Sequence, residues 1–177
     1  MDVFVETLVR RKLTAEDRKK VKMIFFTIIF SSVIFVLVLP FVLMSQGIAY
    51  LSTVSMILFG VILFFCYREL KRMQIEFEYI ITGTNLDIDK IIDKKKRSRL
   101  ISFDLKTVEG IGIYKHNFEG QAFEKVIHAE RDLRGENNYF ITLNHPKYSR
   151  VLIVFTPDER MLDGLKKTLP ITLIKKI

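Results

Sequence analysis

The sequence predicts an α+β membrane protein. An N-terminal two-helix transmembrane hairpin is followed by an antiparallel β-barrel or sheet of about seven strands with one C-terminal helix. Three observations carry this prediction. The 177-residue chain holds a run of 45 residues, Met23 to Tyr67, without Asp, Glu, Lys or Arg. From Gln74 onward the apolar pattern changes to a period of two. Near the end, "TPDERMLDGLKKTLP" has the start and stop signals of a single amphipathic helix.

The uncharged run comes first. A bilayer core of about 30 Å takes about 20 apolar residues of helix, so 45 residues suffice for two spans and a tight turn. Ser45-Gln46-Gly47 is the polar, glycine-containing break, which puts the spans at about 23–44 and 48–67. Pro40 falls near the end of span one, where neighbouring groups can satisfy a freed carbonyl. A buried core helix is shorter than either span. A cleavable signal peptide has a shorter apolar region with a small-residue cleavage site, and here 22 residues precede the run.

The flanks predict orientation. Arg10, Arg11, Lys12, Arg18, Lys19, Lys20 and Lys22 precede the run, Arg68, Lys71 and Arg72 follow it, and the turn between the spans is uncharged. The positive-inside rule then places both termini in the cytoplasm, in a multi-pass protein of the cell membrane. The formal charge of +8 divides into +3 for residues 1–22, seven basic against four acidic, and +5 for residues 68–177, 21 against 16. That bias suits a domain held against an anionic inner leaflet and is too small to argue for nucleic acid. Cys66 is the one cysteine, so no intrachain disulfide can form. It is either an ordinary apolar-phase thiol or a juxtamembrane acylation site.

Residues 1–22 form the next segment. Phe4, Val5, Leu8 and Val9 share one face at helical spacing, which predicts a short amphipathic helix lying on the inner leaflet. Thr14 and Asp17 fit a capping box, so the helix of span one should begin near Ala15.

The β-rich domain is expected over 68–177. "IEFEYIIT" alternates Ile75, Phe77 and Tyr79 with Glu76 and Glu78, Gly83-Thr84-Asn85 turns the chain, and "LDIDKII" alternates again. Further strands are read at 100–105, 108–115, 123–133, 139–144 and 150–155, the 123–133 stretch also fitting a helix, with a loop at His116–Gln121. Thr156 is the expected cap and Pro157 the first residue of a helix over about 157–169. Met161, Leu162, Leu165 and Leu169 form its apolar stripe, and "ITLIKKI" closes the chain as a short extra strand. A strongly bent antiparallel sheet has an open end that one such helix can cover.

That order is similar to the pleckstrin-homology-like barrel. "EYIITGTNLDIDKIIDKKKRSRLISFDLKTVEGI" looks like the bacterial pleckstrin-homology-like domains that follow membrane spans. From "MDVFVETLVRRKLT" through "FTPDERMLDGLKKTLP" the chain also resembles a family of uncharacterised two-span proteins of Gram-positive anaerobes. The resemblance implies the architecture and little else. In phosphoinositide-binding members of the barrel class the basic residues lie in and after the first hairpin turn, and Gly83-Thr84-Asn85 has none. Specific inositol-phosphate recognition is therefore not implied.

Catalytic and metal chemistry finds no footing. His116, His128 and His145 are scattered without metal-ligand spacing. Gly110 and Gly112 lack a third glycine and a following helix. Glu76/Glu78 and Asp87/Asp89 read as the solvent side of a hairpin. The spans carry only Thr27, Ser31, Ser32, Ser52, Thr53 and Ser55 as polar groups, so no ion or proton path is marked. Ala49, Ser52, Ser55 and Gly60 are candidates for helix–helix contact. No catalytic residue, cofactor or metal is expected, and the chain is read as not an enzyme.

The sharpest remaining feature is the run "KKKRSR". Lys94, Lys95, Lys96, Arg97 and Arg99 are the candidate lipid-headgroup contacts. The plain alternative is a solvated hairpin turn carrying gatekeeping charge. Nucleic acid is disfavoured because no aromatic is interleaved and Asp87, Asp89 and Asp93 stand beside the run. If the first strand leads about 26 Å away from the bilayer at ~3.3 Å per residue and the second returns, the turn lies at the membrane-proximal end. The expected function is thus a membrane-anchored cytoplasmic binding or scaffolding module, oriented by anionic headgroups, that docks a protein partner or a second copy. The alternative is a non-catalytic subunit of a membrane complex that interacts through its spans.

Overall fold

The computed structural model describes residues 3–115, 122–170 and Leu173. It separates into two compact units, residues 13–73 and residues 1–12 with 74–177.

The first unit is helical. Helix α1 (Ala15–Ser32) leads through a π-helical stretch (Val33–Val38) into α2 (Leu39–Ser45), and a 3₁₀ turn (Ala49–Leu51) leads into α3 (Ser52–Arg72). The continuous pieces Ala15–Ser45 and Ala49–Arg72 are each long and apolar enough to cross a membrane. Thr14 closes the expected capping box: its Oγ1 accepts from the Asp17 amide at 3.2 Å, and Asp17 Oδ2 accepts from the Thr14 amide at 3.0 Å. Gly47 makes the break with φ +74°, a backbone state that glycine adopts without steric cost. The π stretch has a local cause. Leu39 N donates to Ile34 O, five residues back. In that register Phe35 O would next receive the amide proton of residue 40, which is proline and has none. Ser55, 2 % exposed, lies with Oγ 3.2 Å from Phe35 O and shares its proton between that carbonyl and Ser52 O. Among the small residues expected at this seam, Ala49 and Gly60 are instead exposed.

Among its described residues the second unit holds eight strands where the sequence reading has seven. The additional one is β1 (Phe4–Arg10). It replaces the interfacial helix expected for that segment and pairs antiparallel with β2 (Ile75–Thr82), Phe4 opposite Thr82 and Arg10 opposite Glu76. The residues permit both periods. Val5, Thr7 and Val9 turn inward, Phe4, Glu6, Leu8 and Arg10 outward, and the waiting edge of β2 selects the strand. Sheet A runs β1-β2-β3-β4, with β3 over Asn85–Ile92 and β4 over Lys96–Asp104. The β2–β3 loop has two residues, and Gly83 supplies the positive φ, +61°, that such a hairpin takes at its first position.

Sheet B comprises β5 (Val108–Ile113), β6 (Lys125–Ala129), β7 (Tyr139–His145) and β8 (Ser149–Phe155) in the order β5-β7-β8-β6. The wholly antiparallel expectation is corrected here, because β6 runs parallel to β8. Residues 130–138 carry the chain past β8 to β7 on its other side, which leaves β6 as an outer strand in the direction of β8. Among the described residues there are two four-stranded sheets, not one closed barrel.

One apolar core takes residues from both sheets: Phe77, Tyr79, Ile81, Leu86, Ile88 and Phe103 from A, and Ile111, Ile141, Leu143, Ile153 and Phe155 from B. The Tyr79 and Phe155 rings meet edge to face at 5.7 Å. The Tyr79 hydroxyl donates to Ala129 O, so a buried phenol is not left without a partner. Helix α4 (Glu159–Thr168) adds Met161 and Leu165, both fully buried. It starts later than expected. Asp158 is the cap, its Oδ1 accepting from Met161 N at 2.8 Å and from the Thr7 hydroxyl at 3.0 Å. Thr156, the expected cap, instead donates to Asn138 Oδ1 and accepts from the Arg131 amide. The His116–Gln121 loop and most of "ITLIKKI" lie outside the described residues.

Candidate functional site

The basic run divides on folding. Asp93–Lys95 form the β3–β4 turn, and Lys96, Arg97 and Arg99 belong to β4. Asp93 and Lys94 both adopt left-handed backbone, φ 54° and 55°, as the two central residues of a type I′ turn must. For a lysine that conformation costs roughly 1–2 kcal/mol that a glycine would not incur.

Arg97 and Arg99 leave the turn electrostatically. Strand alternation places them on the outer face of sheet A, together with Glu78 of β2 and Asp87 and Asp89 of β3. An arginine-terminated strand opposite an acid-bearing one gives opposite-charge cross-strand pairs. Arg97 Nη2 lies 2.6 Å from Glu78 Oε2 and 2.8 Å from Oε1. Arg99 bridges Asp89 Oδ1 and Asp87 Oδ2, both at 3.1 Å. Glu78 and Asp89 are buried, while both guanidinium side chains remain about half exposed, 55 % and 54 %. Burial pushes the Glu78 carboxyl above the usual glutamate range, Arg97 pulls it back, and the carboxyls of Glu6 and Asp89 push it up again. The hydrogen bond to Asp89 and the charge of Asp87 hold the Arg99 guanidinium more firmly protonated still.

Lys94, Lys95 and Lys96 are exposed and form no ion pair among the described residues. Of the five candidate lipid contacts, these three are the cations free to meet a second surface. Their position in the sheet is defined by hydrogen bonds. Asp93 N donates to Gln74 O at 2.9 Å, and Arg11 N donates to Ile75 O at 2.9 Å. The turn therefore stands at the end of sheet A where the chain leaves after Lys12 and re-enters at Gln74.

A second basic group escaped the sequence reading. The β7–β8 turn places Tyr148 between two lysines that are 22 residues apart in sequence. Lys125 Nζ lies 3.7 Å and Lys147 Nζ 5.2 Å from the ring centroid. His145 stacks on the Tyr148 ring with centroids 5.3 Å apart, its Nδ1 accepting from Lys147 N and its Nε2 facing Ser102 O. Lys125 first, then Lys147, draws the Tyr148 phenol below its ordinary range. The signal available was "HPKYSR", a basic-aromatic turn, but Lys125 comes from another strand. Of the remaining histidines, His128 Nδ1 lies 2.9 Å from Glu130 Oε1, and that contact raises its pKa above the usual histidine value.

A family model described as Bacterial PH-like domain (DUF6106) matches residues 1–175. The chain belongs to this family. The match spans the helical unit as well as both sheets, so the two candidate membrane helices are part of the family's pattern and not an addition to it. No curated protein and no solved structure matches the chain.

Proposed function

We propose that the chain is a membrane-anchored binding or scaffolding module, with both termini cytoplasmic, whose two-sheet unit is oriented by contact of Lys94, Lys95 and Lys96 with anionic headgroups. The carrying observation is the position of the turn at the end of sheet A that bears both connections to the helical unit. The hydrogen bond between Arg11 and Ile75 brings the two chain connections together at that end of sheet A. The cationic flanks Arg10–Lys12 and Arg68–Arg72 favour the cytoplasmic side. Family membership supports a binding role in place of a reaction.

Energetics limit the lipid contact to orientation. Each lysine near an anionic leaflet contributes about 1 kcal/mol, decaying over a Debye length of about 8 Å, so three give about 3 kcal/mol at most. Arg97 and Arg99 are spoken for by Glu78, Asp87 and Asp89 and add little. Lysine at the left-handed position 94, where glycine is unstrained, fits selection for charge at that point.

The test uses the full chain in nanodiscs of phosphatidylcholine, with and without phosphatidylglycerol. Amine-reactive labelling read by mass spectrometry should show Lys94–Lys96 protected only with the anionic lipid, and Lys125 and Lys147 labelled alike in both. Equal labelling of Lys94–Lys96 in the two lipids sinks the orientation reading.

A further inference from the structure

We propose that the free edge of β1, together with the face of α4 beside it, forms a docking groove for an extended acidic and apolar segment of a partner protein, added to sheet A as a fifth strand. This rests on the binding-module reading and gives it a surface.

The backbone comes first. Gly83 N donates to Val3 O and Arg11 N donates to Ile75 O. In an antiparallel ladder such bonded residues alternate, so the odd residues 3 to 11 of β1 face β2. The amides and carbonyls of Phe4, Glu6, Leu8 and Arg10 then point to the open side, and the described residues offer them no partner. The next group in that series, Lys12 N, does find one, Arg131 O at 2.7 Å, which marks where the free edge stops. A seven-residue edge without proline is a template for strand addition.

The side wall is α4. A groove of about 560 Å³ is lined by Val3, Phe4 and Val5 of the β1 end and by Arg160, Asp163, Gly164 and Lys167 of the helix. The helix residues recur at i, i+3, i+4 and i+7, one stripe of its surface. Gly164 lets helix and strand approach. A Cβ there would stand 3.0 Å from Val5 and 3.2 Å from Ile81, so the floor exists only because that side chain is absent. Phe4 is 67 % exposed and Leu8 55 %, large apolar groups at an open edge.

Charge selects the occupant. The rim carries Arg160 and Lys167 against Asp163, and neither cation forms an ion pair among the described residues. A guest with apolar residues on the groove side and carboxylates at the rim is complementary. A second copy offering its own β1 would bring Arg10, Arg11 and Lys12 toward these cations, and the chain's terminal "IKKI" would bring two lysines. Both are mismatched in sign.

The test uses the full chain in detergent against an array of eight-residue peptides. Valine occupies alternate positions, with Asp, Glu, Ser or Lys between. Fluorescence anisotropy should give the Asp and Glu peptides about three- to tenfold lower Kd than the Lys peptides. Leu8→Pro removes one outward amide and spares the β2 ladder, and should abolish binding. If that variant fails to fold, Arg160→Glu with Lys167→Glu, both exposed, should invert the charge preference. No peptide binding, equal binding of Asp and Lys peptides, or binding unchanged by these substitutions overturns the proposal. So does disulfide dimerisation of Leu8→Cys in a Cys66→Ser background without peptide, which would make a second copy the occupant. Lys94–Lys96 charge variants should bind peptides normally, so failure here and failure of the lipid reading are separable.

Discussion

The β3–β4 and β7–β8 turns are both basic, and folding treats them oppositely. In the first, five cations are consecutive or nearly so, yet two of them sit over the carboxylates of Glu78, Asp87 and Asp89. In the second, only Lys147 lies in the turn, yet Lys125 arrives from β6 and both ammoniums gather at Tyr148 without a carboxylate partner among the described residues. Charge density along the chain is thus a poor guide to charge available at the surface. Strand register, which sets the cross-strand neighbour, decides which cations are free.

The largest expected effect breaks the first turn's pairing. Arg97→Ala with Arg99→Ala leaves the buried Glu78 and Asp89 without their hydrogen-bond donors. This should destabilise sheet A by about 2 kcal/mol, the half-exposed guanidiniums keeping it below the full cost of orphaning two buried acids. Amide hydrogen exchange across β2–β4 in detergent measures it. A loss no larger than that of Lys125→Ala would erase the contrast between the turns.

The second prediction concerns pH. The Glu78 carboxyl titrates above its unfolded value near 4.5, so its protonated form favours the folded state. That stability is fully present below pH 4.5 and lost as pH rises through the raised folded pKa. Glu78→Gln should remove this loss of thermal midpoint as pH rises above 4.5, followed by circular dichroism, and an unaltered profile would contradict the assignment.

Smaller still is Lys94→Gly. Relief of the left-handed lysine, less the glycine's greater unfolded entropy, should raise stability by up to about 1 kcal/mol. The same substitution should weaken the lipid-dependent labelling difference at Lys95 and Lys96. Smallest is Lys125→Ala, where the exposed ammonium–ring contact should leave the midpoint almost unchanged while the Tyr148 phenol titrates closer to its ordinary value by ultraviolet absorbance. A phenol that does not move would dissociate Lys125 from Tyr148.

How much of this was legible depended on the range of the determining contact. The spans follow from composition, the Thr14–Asp17 box from two side chains three residues apart, and the Gly83 hairpin from one glycine. The identity of β1 did not follow, because Phe4, Val5, Leu8 and Val9 satisfy a helix while Val5, Thr7 and Val9 satisfy a strand. The arbiter, Tyr79 opposite Thr7, lies far along the chain. The start of α4 slipped because Thr156 and Asp158 both qualify as caps, and Thr156 is drawn away by Asn138 and Arg131. The five candidate cations were legible as a group. Their division into three free and two paired was not, because it depends on which face of β4 each residue takes after the irregularity opposite Ile88/Asp89.

Sheet A is interrupted in the chain by the helical pair, and this gives assembly an order in time. Phe4 finds Thr82 only after residues 13–73 have been made. At roughly 5–20 residues per second, those 61 residues occupy the ribosome for about 3–12 s. Throughout that interval β1 has no sheet to join. Closure of β1 onto β2 is therefore a late step in building sheet A, because Thr82 and the rest of β2 must be made before the first strand has an edge to join.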